Sequence, residues 1–83
     1  MTYMSQYRPL RRTSLAAEIR AEMGRQRVSV NKLSAGTGIS ASTLYRRLDG
    51  VKPFYVEELD AIGQFLKVPD YVLTARAKKR GDV

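Results

Sequence analysis

The side chains of this chain that could do chemistry are hydroxyls and cations near its middle. Ser42 and Arg46 are four residues apart, and Leu44 and Leu48 repeat at the same interval. Positions four apart share one face of an α-helix, so the segment predicts a helix with one apolar face and one hydrogen-bonding face. The guanidinium of Arg46 offers a planar fork of donors that pairs with two acceptors at once. The chemistry that this pattern predicts is recognition by hydrogen bonding.

Catalytic and metal chemistry have few suitable residues. The chain has no Cys and no His, which excludes disulfides, thiolate nucleophiles, Ser-His-Asp triads and most transition-metal sites. The acids Glu57, Glu58 and Asp60 cluster where a helix is expected to begin, and there they favour its positive end rather than form a pair with a base. We expect no enzyme, no cofactor and no small-molecule ligand.

The charge distribution indicates a polyanionic partner. The 83 residues carry a net charge of +7. Residues 1–52 hold ten Lys and Arg against three acids, whereas residues 53–83 hold five of each sign. The asymmetry favours nucleic acid or an anionic membrane as partner, with solubility alone as the alternative. No apolar run approaches the ~20 residues that cross a bilayer, and no signal peptide is evident, so we expect a cytoplasmic protein.

The spacing of apolar residues predicts an all-α domain, because no segment alternates as a strand would. Residues 1–12 are expected to form a flexible basic arm, since they contain Pro9 and lack helical periodicity. Residues 13–77 form the domain, and residues 78–83 a basic tail, with fraying expected from Arg76. The five predicted helices run from Thr13 or Ser14 to about Arg27, from Val30 to about Thr37, over Ala41–Leu48, from about Val56 to Leu66, and from Pro69 or Asp70.

The core and the helix ends follow from the same pattern. Ser29 and Ser40 are expected to cap the second and third helices, and Gly38 and Gly50 to end them. Gly63, inside the fourth helix, predicts a close helix crossing. The residues expected to face inward are Leu15, Ala16, Ile19, Met23, Leu33, Leu44, Leu48, Phe54, Val56, Leu59, Ile62, Phe65 and Leu66.

The second and third helices, joined by a tight glycine turn, predict a helix-turn-helix, in which the second helix of the pair enters the DNA major groove. The segment Leu33–Gly50, with Leu33, Gly38-Ile39-Ser40 and Thr43-Leu44, resembles the Cro/CI-type helix-turn-helix family, and Ser34 replaces the family's usual Ala with another small residue. Lys52-Pro53-Phe54, followed by Glu58-Leu59, is similar to the start of that family's fourth helix. The resemblance implies a compact five-helix domain like that of lambda repressor, and a double-stranded DNA operator as partner.

The sequence departs from the family pattern at a few positions. Val30 stands where a phosphate-contacting Gln is common, so Asn31 and the free N–H groups of the helix start are the alternatives. Tyr55 replaces a capping Ser or Thr. Arg47 occupies a position that is often aliphatic, which places it at the edge of the domain.

The DNA-facing residues follow from placing Leu44 and Leu48 inward. Ala41, Ser42, Tyr45 and Arg46 then face outward as base-reading candidates, with Arg46 suited to guanine O6 and N7 and, as the alternative, to a phosphate. For Tyr45, the alternative to a DNA contact is that its side chain is partly buried. The expected phosphate contacts are Arg11, Arg12, Ser29, Asn31, Lys32, Ser40, Thr43, Arg47 and Lys52, each of which also suits a solvated or capping role.

These features favour a transcriptional regulator that represses by occupying its operator, of a phage Cro or immunity type or from a host. The alternative from another class is an antitoxin-type adaptor that binds DNA and a partner protein through the segment from Arg76. A membrane-surface protein is disfavoured, because the apolar stripes of the helices are buried in the core.

Tyr71, Val72 and Leu73 are consecutive, so one helix face cannot bury all three, and we expect a weak homodimer through them. On DNA, the protein would lie in the bacterial nucleoid.

Overall fold

The computed structural model describes residues 3–81 of the chain, and the side chains of residues 13–80. It contains five α-helices and, within residues 3–81, no strand, which confirms the all-α prediction. No helix in this part of the chain is long and apolar enough to cross a bilayer. The helices are α1 (Tyr3–Gln26), α2 (Val30–Thr37), α3 (Ala41–Leu48), α4 (Val56–Leu66) and α5 (Asp70–Gly81).

Helix α1 is longer than the sequence predicts. It begins at Tyr3 rather than at Thr13 or Ser14, and it continues through Pro9. Proline removes one helical hydrogen bond, but the residues around Pro9 are mostly good helix formers, and the helix persists on both sides of it. The side chains of Arg11 and Arg12 lie outside the described side chains, so their phosphate contacts and the flexibility of the arm stay predictions.

The helix ends around the central turn are those that the sequence predicts. Ser29 Oγ accepts the Lys32 N–H at 3.1 Å, and Ser40 Oγ accepts the Thr43 N–H at 3.2 Å. Gly38 ends α2 in the left-handed conformation, with φ 82°. Gly50 follows α3 with φ 79°. Short side-chain hydroxyls and glycines therefore determine where α2 and α3 begin and end.

The core lies where all five helices meet. It consists of Ile19, Met23, Leu33, Leu44, Leu48, Ile62, Leu66 and Leu73, with Leu15, Phe54, Leu59 and Phe65 packed against it as half-buried neighbours. Ala16 is also buried, as predicted. Val56 is the exception, because 77% of its surface is exposed. It is the first residue of α4, where its direction leads away from the core.

The close approach predicted at Gly63 involves a turn, not a second helix. A Cβ on Gly63 would lie 2.7 Å from the Val68 carbonyl oxygen, in the turn that joins α4 to α5. The tight helix crossing is instead at Gly36, where a Cβ would overlap the Phe65 ring of α4. Gly36 lies inside α2, one residue before its end at Thr37.

Helix α5 extends to Gly81, so the described residues from Arg76 onward form a helix instead of a frayed tail. Ala77 is buried, and Arg76 and Arg80 both pair with carboxylates of α1. These contacts extend the packed domain beyond the predicted boundary at residue 77. Asp82 and Val83 lie outside the described residues.

Candidate nucleic-acid interface

Helix α3 presents the hydrogen-bonding face that its sequence predicts. Leu44 and Leu48 are buried beneath it, with 0% and 4% exposed surface. Ser42, Tyr45 and Arg46 are exposed on the other side, and Ala41 is half-buried. The structure therefore brings the four predicted base-reading residues onto one accessible face, and base reading by them stays a prediction.

The start of α3 carries three neighbouring hydroxyls. Ser40 Oγ accepts the Thr43 N–H and donates to Thr43 Oγ1 at 2.9 Å, and Ser42 Oγ lies 3.4 Å from Ser40 Oγ. The cap satisfies one free N–H of the first turn, and the remaining N–H groups point outward with the positive end of the helix dipole. This end of α3 is suited to an anionic group, with Ser40 keeping its capping role.

The turn between α2 and α3 is held by side-chain hydrogen bonds. Ser34 Oγ donates to the Ile39 carbonyl at 2.6 Å, across the turn. Thr37 Oγ1 donates to the Leu33 carbonyl at 2.7 Å and accepts the Ile39 N–H at 3.2 Å. The bonds to Ile39 satisfy its N–H and carbonyl groups, which lie between the two helices. They fix α3 relative to α2, a role for Ser34 and Thr37 that the sequence analysis missed.

The predicted phosphate contacts outside α3 are mostly accessible. Asn31 and Lys32 are exposed in the first turn of α2, beside the capping Ser29, and Lys52 is exposed after α3. Within the described side chains, neither lysine forms an ion pair. Val30 packs against the core, so Asn31 and Lys32 are the side chains that α2 offers here.

Arg47, which we predicted as a phosphate contact, is bonded to an acidic side chain of the domain in this structure. Its Nε donates to Glu58 Oε1 at 2.8 Å and its Nη2 to Glu58 Oε2 at 2.9 Å. Only 12% of the Arg47 side chain and 15% of the Glu58 side chain are exposed. Hydrogen bonds from Arg47 lower the pKa of Glu58, and the same bonds raise the pKa of Arg47. The pair directs the Arg47 guanidinium toward Glu58 of α4.

The last turn of α3 has a further contact that the sequence analysis missed. Arg20 of α1 donates from Nη1 to the carbonyl oxygen of Leu48. A cation at a helix C-terminus satisfies a free carbonyl and opposes the negative end of the dipole. The two residues are 28 positions apart, and no local pattern indicates that they meet.

Cations also gather between α1 and α5, but they are paired there. Glu18 and Glu22 are buried, with 5% and 8% exposed surface. Glu22 Oε1 lies 2.8 Å from Arg25 Nη2 and 3.2 Å from Arg76 Nη1, and Glu18 Oε1 lies 3.0 Å from Arg80 Nη2. The two carboxylates balance two of the three positive charges, and all three arginines are held within the fold by ion pairs. The excess positive charge near α3 comes from residues such as Lys32, Arg46 and Lys52.

The comparisons with known proteins agree with this geometry. Residues 18–69 match the family model of the Cro/C1-type helix-turn-helix DNA-binding domain. A search of curated proteins and a search of solved structures each found no match. The matched segment runs from the middle of α1 to the turn before α5, and it includes the whole helix-turn-helix and α4. The chain belongs to the Cro/C1-type helix-turn-helix DNA-binding family.

Proposed function

We propose that this protein is a sequence-specific regulator of transcription, a repressor that inserts α3 into the major groove of its operator. The observation that carries the proposal is the accessible face of α3, where Ser42 and Arg46 lie over the buried Leu44 and Leu48. Arg46 is the principal base reader, since its fork matches guanine O6 and N7. Ala41, Ser42 and Tyr45 complete the reading face.

The surrounding residues position the domain on the duplex. Asn31, Lys32 and Lys52 meet phosphates, and the capped helix starts at Ser29 and at Ser40 with Thr43 add N–H groups for the same purpose. A domain held in this way at an operator blocks polymerase by occupying the site. The protein then acts in the cytoplasm, on the nucleoid, as a phage or host regulator.

The surface offered for self-association is smaller than the sequence predicts. Tyr71 has 70% of its surface exposed, whereas Leu73 is fully buried in the core and is withdrawn from the interface. A weak homodimer through Tyr71 and Val72 would place two domains on two half-sites. Arg76 pairs with α1, so the segment that an adaptor would offer to a toxin is packed, which favours the regulator.

The test is the salt dependence of DNA binding. A duplex selected by the protein from a randomised pool and a scrambled duplex of the same composition are titrated over a range of salt concentrations. A dimer that neutralises about 6–10 phosphates gives a log–log slope of about −5 to −9. A slope near zero would remove the nucleic-acid function.

Two arginine variants separate the contribution of the reading face to DNA binding from that of the remaining positive charge. Arg46→Ala should weaken binding to the selected duplex by about 1–3 kcal/mol. The matched control is Arg76→Ala, which removes the same charge from a residue paired with Glu22, and it should leave the preference for the selected duplex unchanged. Equal effects of the two variants would mean that the reading face is assigned wrongly.

A further inference from the structure

The ion pair between Arg47 and Glu58 joins α3 and α4, two helices whose backbones do not pack directly against each other. Helix α3 packs against α1 and α2, whereas α4 packs against α1, α2 and α5. The Arg47 and Glu58 side chains bridge the remaining gap with two parallel hydrogen bonds of 2.8 and 2.9 Å. Two parallel hydrogen bonds of this kind fix the orientation of the guanidinium relative to the carboxylate as well as the distance between them.

The acceptor side of the pair is itself held in place. Glu58 Oε1 also accepts the N–H of Tyr55 at 3.0 Å, a bond that ties Glu58 to the start of α4. The Arg47 guanidinium carbon lies 5.0 Å from the centroid of the Tyr55 ring. Tyr55, which replaces a capping hydroxyl, therefore covers the pair, and the pair has little freedom to reorient.

The neighbouring residue on α3 is the principal base reader. Consecutive residues of an α-helix differ in direction by about 100°, so holding Arg47 against α4 sets the direction in which Arg46 leaves the helix. On the opposite side, Arg20 of α1 holds the carbonyl of Leu48. The last turn of α3 is thus fixed by two arginines. Arg20 binds it from α1, and Arg47 extends from it to α4.

We propose that Arg47 and Glu58 are positioning residues that set the pose of α3 in the major groove, and that Arg47 does not touch DNA. This inference rests on the proposed function. The preference for the selected duplex over other sequences then depends in part on this pair, which lies behind the reading face. Affinity for DNA of any sequence depends on the exposed cations, and the pair leaves it unchanged.

The experiment compares Arg47→Met with Arg46→Met, two variants that remove the same charge from adjacent positions and leave an unbranched apolar side chain at each. Binding to the selected and the scrambled duplex is measured over a range of salt concentrations, at a temperature where circular dichroism shows each variant to be folded. For Arg47→Met we expect the ratio of the two affinities to fall about tenfold, the effect of one weakened base contact, with an unchanged salt slope. Arg46→Met should also lower that ratio, or reduce the slope by about one if it meets a phosphate.

A second variant tests the partner. Glu58→Gln should lower the affinity ratio as Arg47→Met does, and the double variant should be no worse than either single one, because both remove one interaction. The exchanged pair Arg47→Glu with Glu58→Arg should recover part of the ratio, which a loss of folding stability alone would not explain.

Two results would overturn the proposal. If Arg47→Met reduces the salt slope by about one and weakens both duplexes alike, Arg47 is a phosphate contact. If Glu58→Gln strengthens binding to both duplexes, Glu58 merely restrains a DNA-binding cation. Absence of salt-dependent binding by the unaltered protein would instead remove the proposed function, and the positioning role with it.

Discussion

The seam between α1 and α5 and the outer face of α3 use the same residue type in opposite ways. In the seam, Arg25, Arg76 and Arg80 surround the buried carboxylates of Glu18 and Glu22. On α3, Arg46 is exposed and has no ion-pair partner among the described side chains. The comparison teaches that net charge does not measure the capacity to bind phosphate. The position and the partner of each arginine determine whether it stabilises the fold or is free for a ligand.

Removing both carboxylates of the seam should have the largest effect on stability. The double variant Glu18→Gln with Glu22→Gln leaves three arginines close together without a counter-charge, and it should lower the melting temperature by about 10 °C. The arginines are about half exposed, so solvent limits the loss. Thermal melts check it, with the exposed Glu57→Gln as control. Equal melting temperatures for the double variant and the control would mean that the seam contributes nothing through its charges.

The helix-turn-helix depends on tight apolar packing where the seam depends on charge. A Cβ on Gly36 would overlap the ring of Phe65, whereas a Cβ on Gly24 of α1 would meet no atom within 4 Å. Gly36→Ala should therefore destabilise the fold by about 1 kcal/mol, the cost of overpacking less the gain in helix propensity. Gly24→Ala should stabilise it by up to about 1 kcal/mol. Denaturant unfolding measures both, and a gain in stability for Gly36→Ala would contradict the crossing.

Acid should weaken the seam through Glu22. Hydrogen bonds from Gln26 and then Arg25 lower the pKa of Glu22 from its ordinary value of 4.5. A carboxyl group whose pKa is lower in the folded state stabilises the fold above pH 4.5, and this contribution is lost as the pH falls below 4.5 toward the folded value. The melting temperature should fall by a few degrees in that range. Glu22→Gln should show a shallower fall, and an identical fall would assign the acid sensitivity to other groups.

The parts of the fold that the sequence predicted are those whose cause lies within a few residues. Ser29 and Ser40 cap the helices that directly follow them, and Gly38 ends the helix that precedes it. The repeat of Leu44 and Leu48 defines a buried face and, by exclusion, an exposed one. The exposed face of α3 was therefore predictable once the helix was placed.

The contacts that the sequence did not predict join distant positions. Arg80 meets Glu18 across 62 residues, and Arg20 meets Leu48 across 28. A sequence pattern does not distinguish an arginine that faces solvent from one that binds a phosphate or a carboxylate. Only the packing of the helices shows that Arg47 faces Glu58. Helix α1 exceeded its predicted length because Pro9 was taken as a break, although the surrounding residues sustain the helix.

Two strained turns allow the effect of charge position on DNA binding to be tested with variants that change the stability of the fold equally. Arg27 and Lys67 both follow a helix in the left-handed conformation, with φ 56° and 62°. Val28 and Val68 close these turns with N–H bonds of 2.9 and 3.0 Å to Met23 and Gly63. A side chain other than glycine costs about 1–2 kcal/mol in this conformation, and glycine loses about half of that gain through its freedom when unfolded.

Replacing either residue by glycine should therefore raise the free energy of unfolding by about 0.5–1 kcal/mol. The effects on DNA should differ, because Arg27 comes just before the capped start of α2, whereas Lys67 lies between α4 and α5. We expect Arg27→Gly to weaken binding to every duplex and to reduce the salt slope by about one, with Lys67→Gly unchanged in both. Titration of the selected and the scrambled duplex measures this difference. Equal weakening by the two variants would mean that total charge, and not the position of each cation, determines affinity.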